Sequence, residues 1–184
     1  FQVTYEPLLN SDIPYNEEIF KAMRQARDNL YQEKIELKKL KRLISLYPDI
    51  PQFYNYLVMA YRIKRQDKQA YKQNDELLQR FPDYLFAKVI KAEEYIETGE
   101  LDKVKFVLGH ALDLQALYPD RQTFHIDEVM SYYRVVVEYL CELGDTDKAE
   151  EYLDLMIDVE PGHPACEYAG EKIMLKRMEI NMVR

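Results

Sequence analysis

The sequence is poor in glycine and cysteine, and it has no long apolar run. Only 5 of its 184 residues are glycine, and it contains no glycine-rich phosphate loop, dinucleotide-binding turn or nucleophile elbow. Its two cysteines, Cys141 and Cys166, are too few for a disulfide framework. We therefore expect reduced thiols in the core and a cytoplasmic location. No apolar stretch approaches the roughly 18 residues that cross a bilayer, so no membrane span is expected.

Charge is distributed unevenly along the chain, which carries 25 basic and 33 acidic residues and a net charge of −8. Residues 1–92 hold 16 basic and 12 acidic residues, a net charge of +4. Residues 93–184 hold 9 and 21, a net charge of −12. Such a gradient can steer a partner or align neighbouring copies head to tail, and a solvated surface with drifting composition is the simpler interpretation.

Prolines recur at nearly regular intervals. Pro14, Pro48 and Pro82 are 34 residues apart, and Pro119 and Pro161 follow at intervals of 37 and 42. Proline lacks the amide donor that a helix interior needs, so each position predicts the end of a helix. The spacing indicates a structural unit of 34 residues with insertions in the later copies.

A second marker lies about halfway through each unit. Gly99 and Gly144 open similar segments, GELDKV and GDTDKA, and Arg65 occupies the same slot without the glycine. Glycine at this slot can take the left-handed conformation that ends a helix. Each unit therefore predicts a helix, a tight turn, a second helix and a proline turn.

Apolar residues between the markers recur with helical spacing, as in Tyr54, Leu57, Val58 and Tyr61. No alternating pattern persists, so no strand is expected. The predicted helices lie near 16–30, 33–46, 51–64, 67–80, 84–98, 101–117, 126–143, 146–158 and 164–181.

These units resemble the tetratricopeptide repeat (TPR), a 34-residue helix–turn–helix with the pattern W-x₂-L-G-x₂-Y, then A-x₃-F, then P. The unit from Pro48 to Pro82 matches with Tyr54, Leu57, Tyr61 and Ala70, although Val58 replaces the preferred glycine. The resemblance implies an all-α, right-handed superhelix of about four antiparallel helix pairs plus a C-terminal capping helix. It places an N-terminal extension at 1–13 and a single TPR-like domain at 14–184. The small slots Ala70, Ala92, Ala111 and Ala149 would let the helices approach closely.

The resemblance also implies a concave groove, lined by the first helix of each pair, that binds a peptide. Its lining is expected to combine an apolar and aromatic floor with a few charges. Repeat register assigns to this groove Gln52, Asn55, Tyr56, Met59, Arg62, Phe86, Val89, Ile90, Glu93, Ser131, Arg134, Val135 and Glu138. In the TPRs that bind heat-shock chaperones, basic residues of the groove clamp the carboxylate at the C-terminus of the partner. Phe86 and Ile90 stand at two of those basic positions, which argues against a carboxylate clamp here.

Catalytic, metal and cofactor sites are not expected. The three histidines, His110, His125 and His163, fall in different units without metal-ligand spacing, and neither cysteine has a CxxC partner. Nucleic-acid binding is not expected either, because many tyrosines fall in repeat slots and the net charge is negative. The chain is therefore not expected to be an enzyme.

Two segments depart from the repeat. Residues 120–127 insert about eight residues that include Phe124 and His125, a loop that either carries function or is a tolerated insertion. The C-terminal helix carries the row Gly170, Met174, Met178 and Met182, for which core packing is the first expectation and a dimer or partner surface the second.

The function that these features favour is protein–protein interaction, as a scaffold or adaptor that binds a protein or peptide of unknown identity. One alternative is a self-assembly module that dimerises through the C-terminal helix. Another is a regulatory TPR segment of a larger protein.

Overall fold

The computed structural model describes residues 1–6 and 16–183 of the chain, so Pro14 and most of the expected N-terminal extension lie outside the described residues. Helices dominate, and the predicted all-α class is confirmed. Among the described residues the helices are α1 (Glu17–Tyr31), α2 (Leu37–Leu46), α3 (Pro51–Ile63), α4 (Asp67–Arg80), α5 (Leu85–Glu97), α6 (Leu101–Leu108), α7 (Leu114–Leu117), α8 (Ile126–Glu142), α9 (Thr146–Val159) and α10 (Pro164–Val183). Two short strands are β1 (Gln2–Thr4) and β2 (Thr123–His125). None of the described helices is both long enough and apolar enough to traverse a lipid bilayer.

The described residues form two compact units. The first unit comprises residues 16–90, and the second comprises residues 1–6 and 91–183, so α5 contributes to both. In the first unit α3 packs against α1, α2 and α4. Its core includes Phe53, Val58 and Leu77, all of which are inaccessible to solvent.

Helix α8 is the centre of the second unit. It packs against α6, α9, α10 and both strands, and α9 and α10 also pack against each other. The row of Val135, Val136 and Val137 is fully buried, which shows that α8 has neighbours on most of its circumference. A helix that is apolar around most of its surface requires such burial.

The proline turns and the mid-unit markers take the predicted conformations. Helices α2, α4, α7 and α9 each end two residues before one of the repeated prolines. Gly99 and Gly144 have φ values of 75° and 79°, and Arg65 in the equivalent slot has a φ of 54°. The backbone therefore keeps the left-handed turn where the sequence has lost its glycine.

The helix predicted over 101–117 is interrupted. It is divided into α6 and α7 because Gly109 and Leu112 both adopt positive φ, at 83° and 53°. The side chain of Asp113 then caps α7 by accepting a hydrogen bond of 2.7 Å from the amide of Ala116. Ala111, predicted to be a small packing slot, lies in this interruption and is exposed, whereas Ala70, Ala92 and Ala149 are fully buried as expected.

The second predicted helix starts later than expected. Helix α2 begins at Leu37 rather than at 33, and Glu33 adopts a φ of 55°. The amides of Glu33 and Lys34 instead close α1, through hydrogen bonds to the carbonyls of Leu30 and Asn29. These residues end one helix and cannot begin the next.

The prediction of a chain without strands is wrong at the insertion. Strand β2 lies within residues 120–127 and pairs in parallel with β1, with Val3 opposite Phe124. Phe124 is fully buried, with its ring 5.1 Å from that of Phe1 and 6.0 Å from that of Tyr118. Arg121 lies over the Phe124 ring at 4.3 Å and forms an ion pair with the buried carboxylate of Glu128. The insertion is therefore an ordered structural element.

The cysteines are free and buried, as predicted. The methionine row of α10 is not packed in the core, which was the first expectation for it. Met174, Met178 and Met182 are 55%, 53% and 77% exposed, whereas Ile173 beside them is 4% exposed. One face of α10 therefore packs on the second unit and its methionine face does not.

Candidate functional site

Three of the predicted groove residues meet in the second unit. Arg134 on α8 donates one hydrogen bond to the carboxylate of Glu93 on α5 and another to that of Glu138 on α8. The guanidinium fork thus joins two carboxylates from neighbouring helices. Repeat register had assigned these side chains to one surface, and the structure brings them into contact.

The local sequence explains half of this arrangement. Arg134 and Glu138 are four residues apart on α8, a spacing that places two side chains one above the other on a helix. Glu93 arrives from α5, where it is one of the few charged side chains that are almost completely buried, at 7% exposure. Breaking a buried pair by removing one partner typically costs about 3–5 kcal/mol, so this contact fixes α5 to α8.

Helix α10 contributes an aromatic ring and a second cation. The guanidinium carbon of Arg134 lies 5.4 Å from the centre of the Tyr168 ring, and the ammonium of Lys172 lies 5.6 Å from the same centre. Tyr168 is 39% exposed, so part of its side chain reaches solvent beside the buried ion pairs. We call Glu93, Arg134, Glu138, Tyr168 and Lys172 the Arg134 cluster.

Burial and charge shift the pKa values of this cluster in identifiable directions. Burial raises the pKa of the Glu138 carboxyl above its usual value, and the attraction of Arg134 offsets only part of that shift. Burial alone would lower the pKa of Arg134, but Glu93 and Glu138 together raise it. The guanidinium of Arg134 is therefore charged, whereas burial disfavours the charge of the Glu138 carboxylate.

The Arg134 cluster is accessible chiefly through Tyr168. The carboxylates of Glu93 and Glu138 are nearly buried and hold Arg134. The ring of Tyr168 is 39% exposed, and an aromatic ring can stack on a planar or cationic group.

The other predicted groove residues of the second unit differ in accessibility. Ser131 is half-buried on α8, one turn before Val135. Val135 is fully buried, so in this structure it contributes to the core. Tyr168 and Lys172 were missed, because the C-terminal helix carries no repeat register. Their four-residue spacing was the only available signal.

In the first unit, the predicted groove residues lie on α3 and α5. Met59 is the most accessible, at 39% exposure, and Val89 and Ile90 are buried at 3% and 5%. The Oδ1 atom of Asn55 is buried and accepts no hydrogen bond from any described residue. The remaining members of the predicted set are half-buried: Gln52, Tyr56, Arg62 and Phe86.

Two of the three histidines cap helices. His125 caps α8 by accepting a hydrogen bond of 3.1 Å from the amide of Asp127. His163 accepts one of 3.1 Å from the amide of Ala165 at the start of α10. Within residues 1–6 and 16–183 no group of three or more histidine, cysteine or acidic side chains is arranged to hold a metal ion.

Comparisons with protein-family models, with curated proteins and with solved structures find no match to this chain.

Proposed function

We propose that this chain is a protein-interaction module, a TPR-like scaffold that binds a peptide or partner protein on the faces of its first-in-pair helices. The observation that carries the proposal is the convergence of Glu93, Arg134 and Glu138 beside the exposed ring of Tyr168. Residues chosen only by their register in the repeat contact one another, which is the result expected if the register has functional meaning.

The arrangement of helices within the second unit supports the TPR-like interpretation. Helices α8 and α9 form a pair, and the next helix, α10, packs against both of them. Repeated helix pairs bury their apolar faces by stacking on the next pair in this way. The shared left-handed turn at Arg65, Gly99 and Gly144 adds a local feature that recurs through both units.

Each unit has its own accessible contact. Met59 on α3 of the first unit offers an exposed, adaptable apolar contact to an apolar side chain. In the second unit, the partly exposed ring of Tyr168 offers an aromatic surface to a basic or planar side chain.

The test is affinity capture from a lysate of the source organism with two variants in the first unit. Met59→Glu places a charge in the predicted groove, and Tyr31→Glu places one at the end of α1, outside it. Both side chains are accessible in the wild type, at 39% and 78% exposure. We expect a partner that the wild type and Tyr31→Glu capture and Met59→Glu does not. Equal capture by both variants would contradict the assignment of the groove.

A second candidate function is self-assembly through α10, which the exposed methionine face favours. Met174, Met178 and Met182 lie one turn apart on one side of the helix, and all are more than half exposed. Sedimentation of the wild type as a dimer, and of Met178→Glu as a monomer, is the expected result for this function. Phe106→Glu on α6, where Phe106 is 74% exposed, is the control that should not change the sedimentation.

A further inference from the structure

A pocket lies between α1 and α2 in the first unit, and none of the residues that line it belongs to the set assigned to the groove. Both helices pack against α3, and the pocket between them has a volume of about 330 Å³. The α1 side of the pocket includes Ala22, Ala26 and Asn29, which are spaced by three and four residues. This side of the pocket is one face of α1.

The α2 side of the pocket is also one helix face. It is lined by Glu36, which precedes the first residue of α2, and by Lys39, Leu40 and Leu43, which lie three, four and seven residues after Glu36. Two helices that each present one continuous face to the space between them form an elongated groove. Grooves of this kind accept the apolar face of a third helix.

The floor of the groove is apolar. Ala26, Leu30 and Leu40 form it and are 6%, 8% and 5% exposed, because they also pack into the core with Leu57. Leu46 lies at one end of the groove and is 58% exposed. The groove thus offers apolar contact along its length, with an accessible leucine at its end.

The edge of the groove and its surroundings are basic. Lys39 and Arg42 line the groove from α2. Lys39 is paired with Glu36, whereas Arg42 forms no ion pair with any residue that the structure describes. Residues 17–46, which span the two helices, include eight Lys or Arg and five Asp or Glu. A long-range field of this sign attracts acidic segments and raises their association rate.

We propose that the groove between α1 and α2 binds an acidic amphipathic helix of a partner protein. Apolar side chains spaced by one helical turn enter between Ala26 and Leu40, and flanking carboxylates face Lys39 and Arg42. The residues that line this site are not members of the groove set, so its test is distinct from that of the proposed function.

The experiment measures binding of three synthetic helical peptides by fluorescence anisotropy. All three carry leucine at positions i, i+4, i+7 and i+11, and their flanking positions are all glutamate, all glutamine or all lysine. We expect the glutamate peptide to bind roughly tenfold more tightly than the glutamine peptide, and the lysine peptide to bind more weakly than either. The affinity of the glutamate peptide should fall as salt is added, because exposed charges are screened.

A matched pair of charge reversals assigns the binding to this groove. Lys39→Glu/Arg42→Glu reverses two charges that line it, and Lys34→Glu/Lys38→Glu reverses two exposed charges of the same basic segment that do not. Both variants change the net charge equally, and circular dichroism confirms that each is folded. We expect the first variant to lose the preference for the glutamate peptide and the second to retain most of it.

Three results would overturn the proposal. One is no binding of any peptide at concentrations up to about 1 mM, the weakest affinity that is useful for recognition. Another is equal loss of binding in the two charge-reversal variants, which would reduce the effect to overall charge. The third is a dimer of the chain that Lys39→Glu/Arg42→Glu dissociates, since the groove would then belong to a second copy.

Discussion

The hydroxyl of Tyr132 donates a hydrogen bond of 2.6 Å to the carbonyl oxygen of Leu108. Leu108 is the last residue of α6, where the helix is interrupted and its final carbonyls lack partners within the helix. Both residues are fully buried. A side chain of α8 therefore completes the end of α6.

We expect Tyr132→Phe to lower the free energy of unfolding by about 1–3 kcal/mol, the cost of leaving a buried polar group unpaired. Urea denaturation measures the loss. Tyr139→Phe is the control on the same helix, because the hydroxyl of Tyr139 makes no hydrogen bond with the described part of the chain. A loss of the same size in both variants would contradict the importance of this bond.

Gly109 should be the least replaceable glycine. Its φ of 83° and ψ of 148° lie in a region that side chains almost never occupy, and an added Cβ would be 3.5 Å from Leu117. Gly109→Ala is expected to destabilise the chain by about 1–3 kcal/mol. Gly162→Ala, with nothing within 4 Å of the new Cβ, should have little effect on the thermal midpoint. Similar midpoints for the two variants would show that the interruption of the helix is not fixed by Gly109.

At Arg65 the test is to introduce a glycine rather than to replace one. Arg65 has a φ of 54°, and a residue with a Cβ is strained at a positive φ. Gly99 and Gly144 adopt positive φ at the equivalent positions without that strain. Arg65→Gly is therefore expected to raise the free energy of unfolding by up to about 1 kcal/mol, less the entropy that glycine gains in the unfolded chain. Lys64→Gly, at a φ of −80°, should instead destabilise the chain. Destabilisation by Arg65→Gly would mean that the arginine side chain contributes more than the backbone strain costs.

Alkaline pH should unfold the protein through its buried tyrosines. Burial raises the pKa of Tyr133 to about 12, and it also raises the pKa of Tyr132. Tyrosine in the unfolded chain titrates near pH 10, so the stability that protonated Tyr133 contributes is complete below about pH 10 and is lost as the pH rises toward 12. We expect the absorbance of tyrosinate to appear in two phases, and the later phase to coincide with loss of helical circular dichroism. A single phase with retained helix would contradict this expectation.

The pH dependence of stability should include a contribution from Glu138. Its pKa is raised by burial, so the folded state binds the proton more tightly than the unfolded state, whose glutamate pKa is about 4.3. That contribution is complete at pH values below about 4.3 and declines as the pH rises through the folded pKa. The stability of the wild type relative to Glu138→Gln should therefore fall between acid and neutral pH in urea titrations. A relative stability that increases with pH would show that Arg134 overcomes the effect of burial.

Helix positions were predictable because proline and left-handed turns act locally. Pro48 and Pro82 end helices whatever their tertiary surroundings are. The interruption at Gly109 and Leu112 was not predictable, because it depends on what α8 offers to the freed carbonyls. The strands were missed because three residues are too short to show alternation, and their pairing joins distant parts of the chain.

The candidate site was predictable only as far as the repeat register extends. Register alone selected Glu93, Arg134 and Glu138, and the ion pair of Arg134 with Glu93 joins α8 to α5. It did not select Tyr168 or Lys172, because α10 lies beyond the last proline turn. Register also selected Val135, which is buried, since the position of a residue on a helix does not determine how deeply that helix is covered.

The pairing of Gln2 with Thr123 has a consequence for the order of assembly during translation. The first unit draws all of its residues from a continuous stretch that ends at Ile90, so it can fold as soon as that stretch leaves the ribosome. Strand β1 precedes β2 by about 120 residues, so the two strands cannot pair until β2 emerges. Strand β1 is thus secured only after the first unit has been synthesised, and until then its backbone amides are available to any chaperone that binds extended chains.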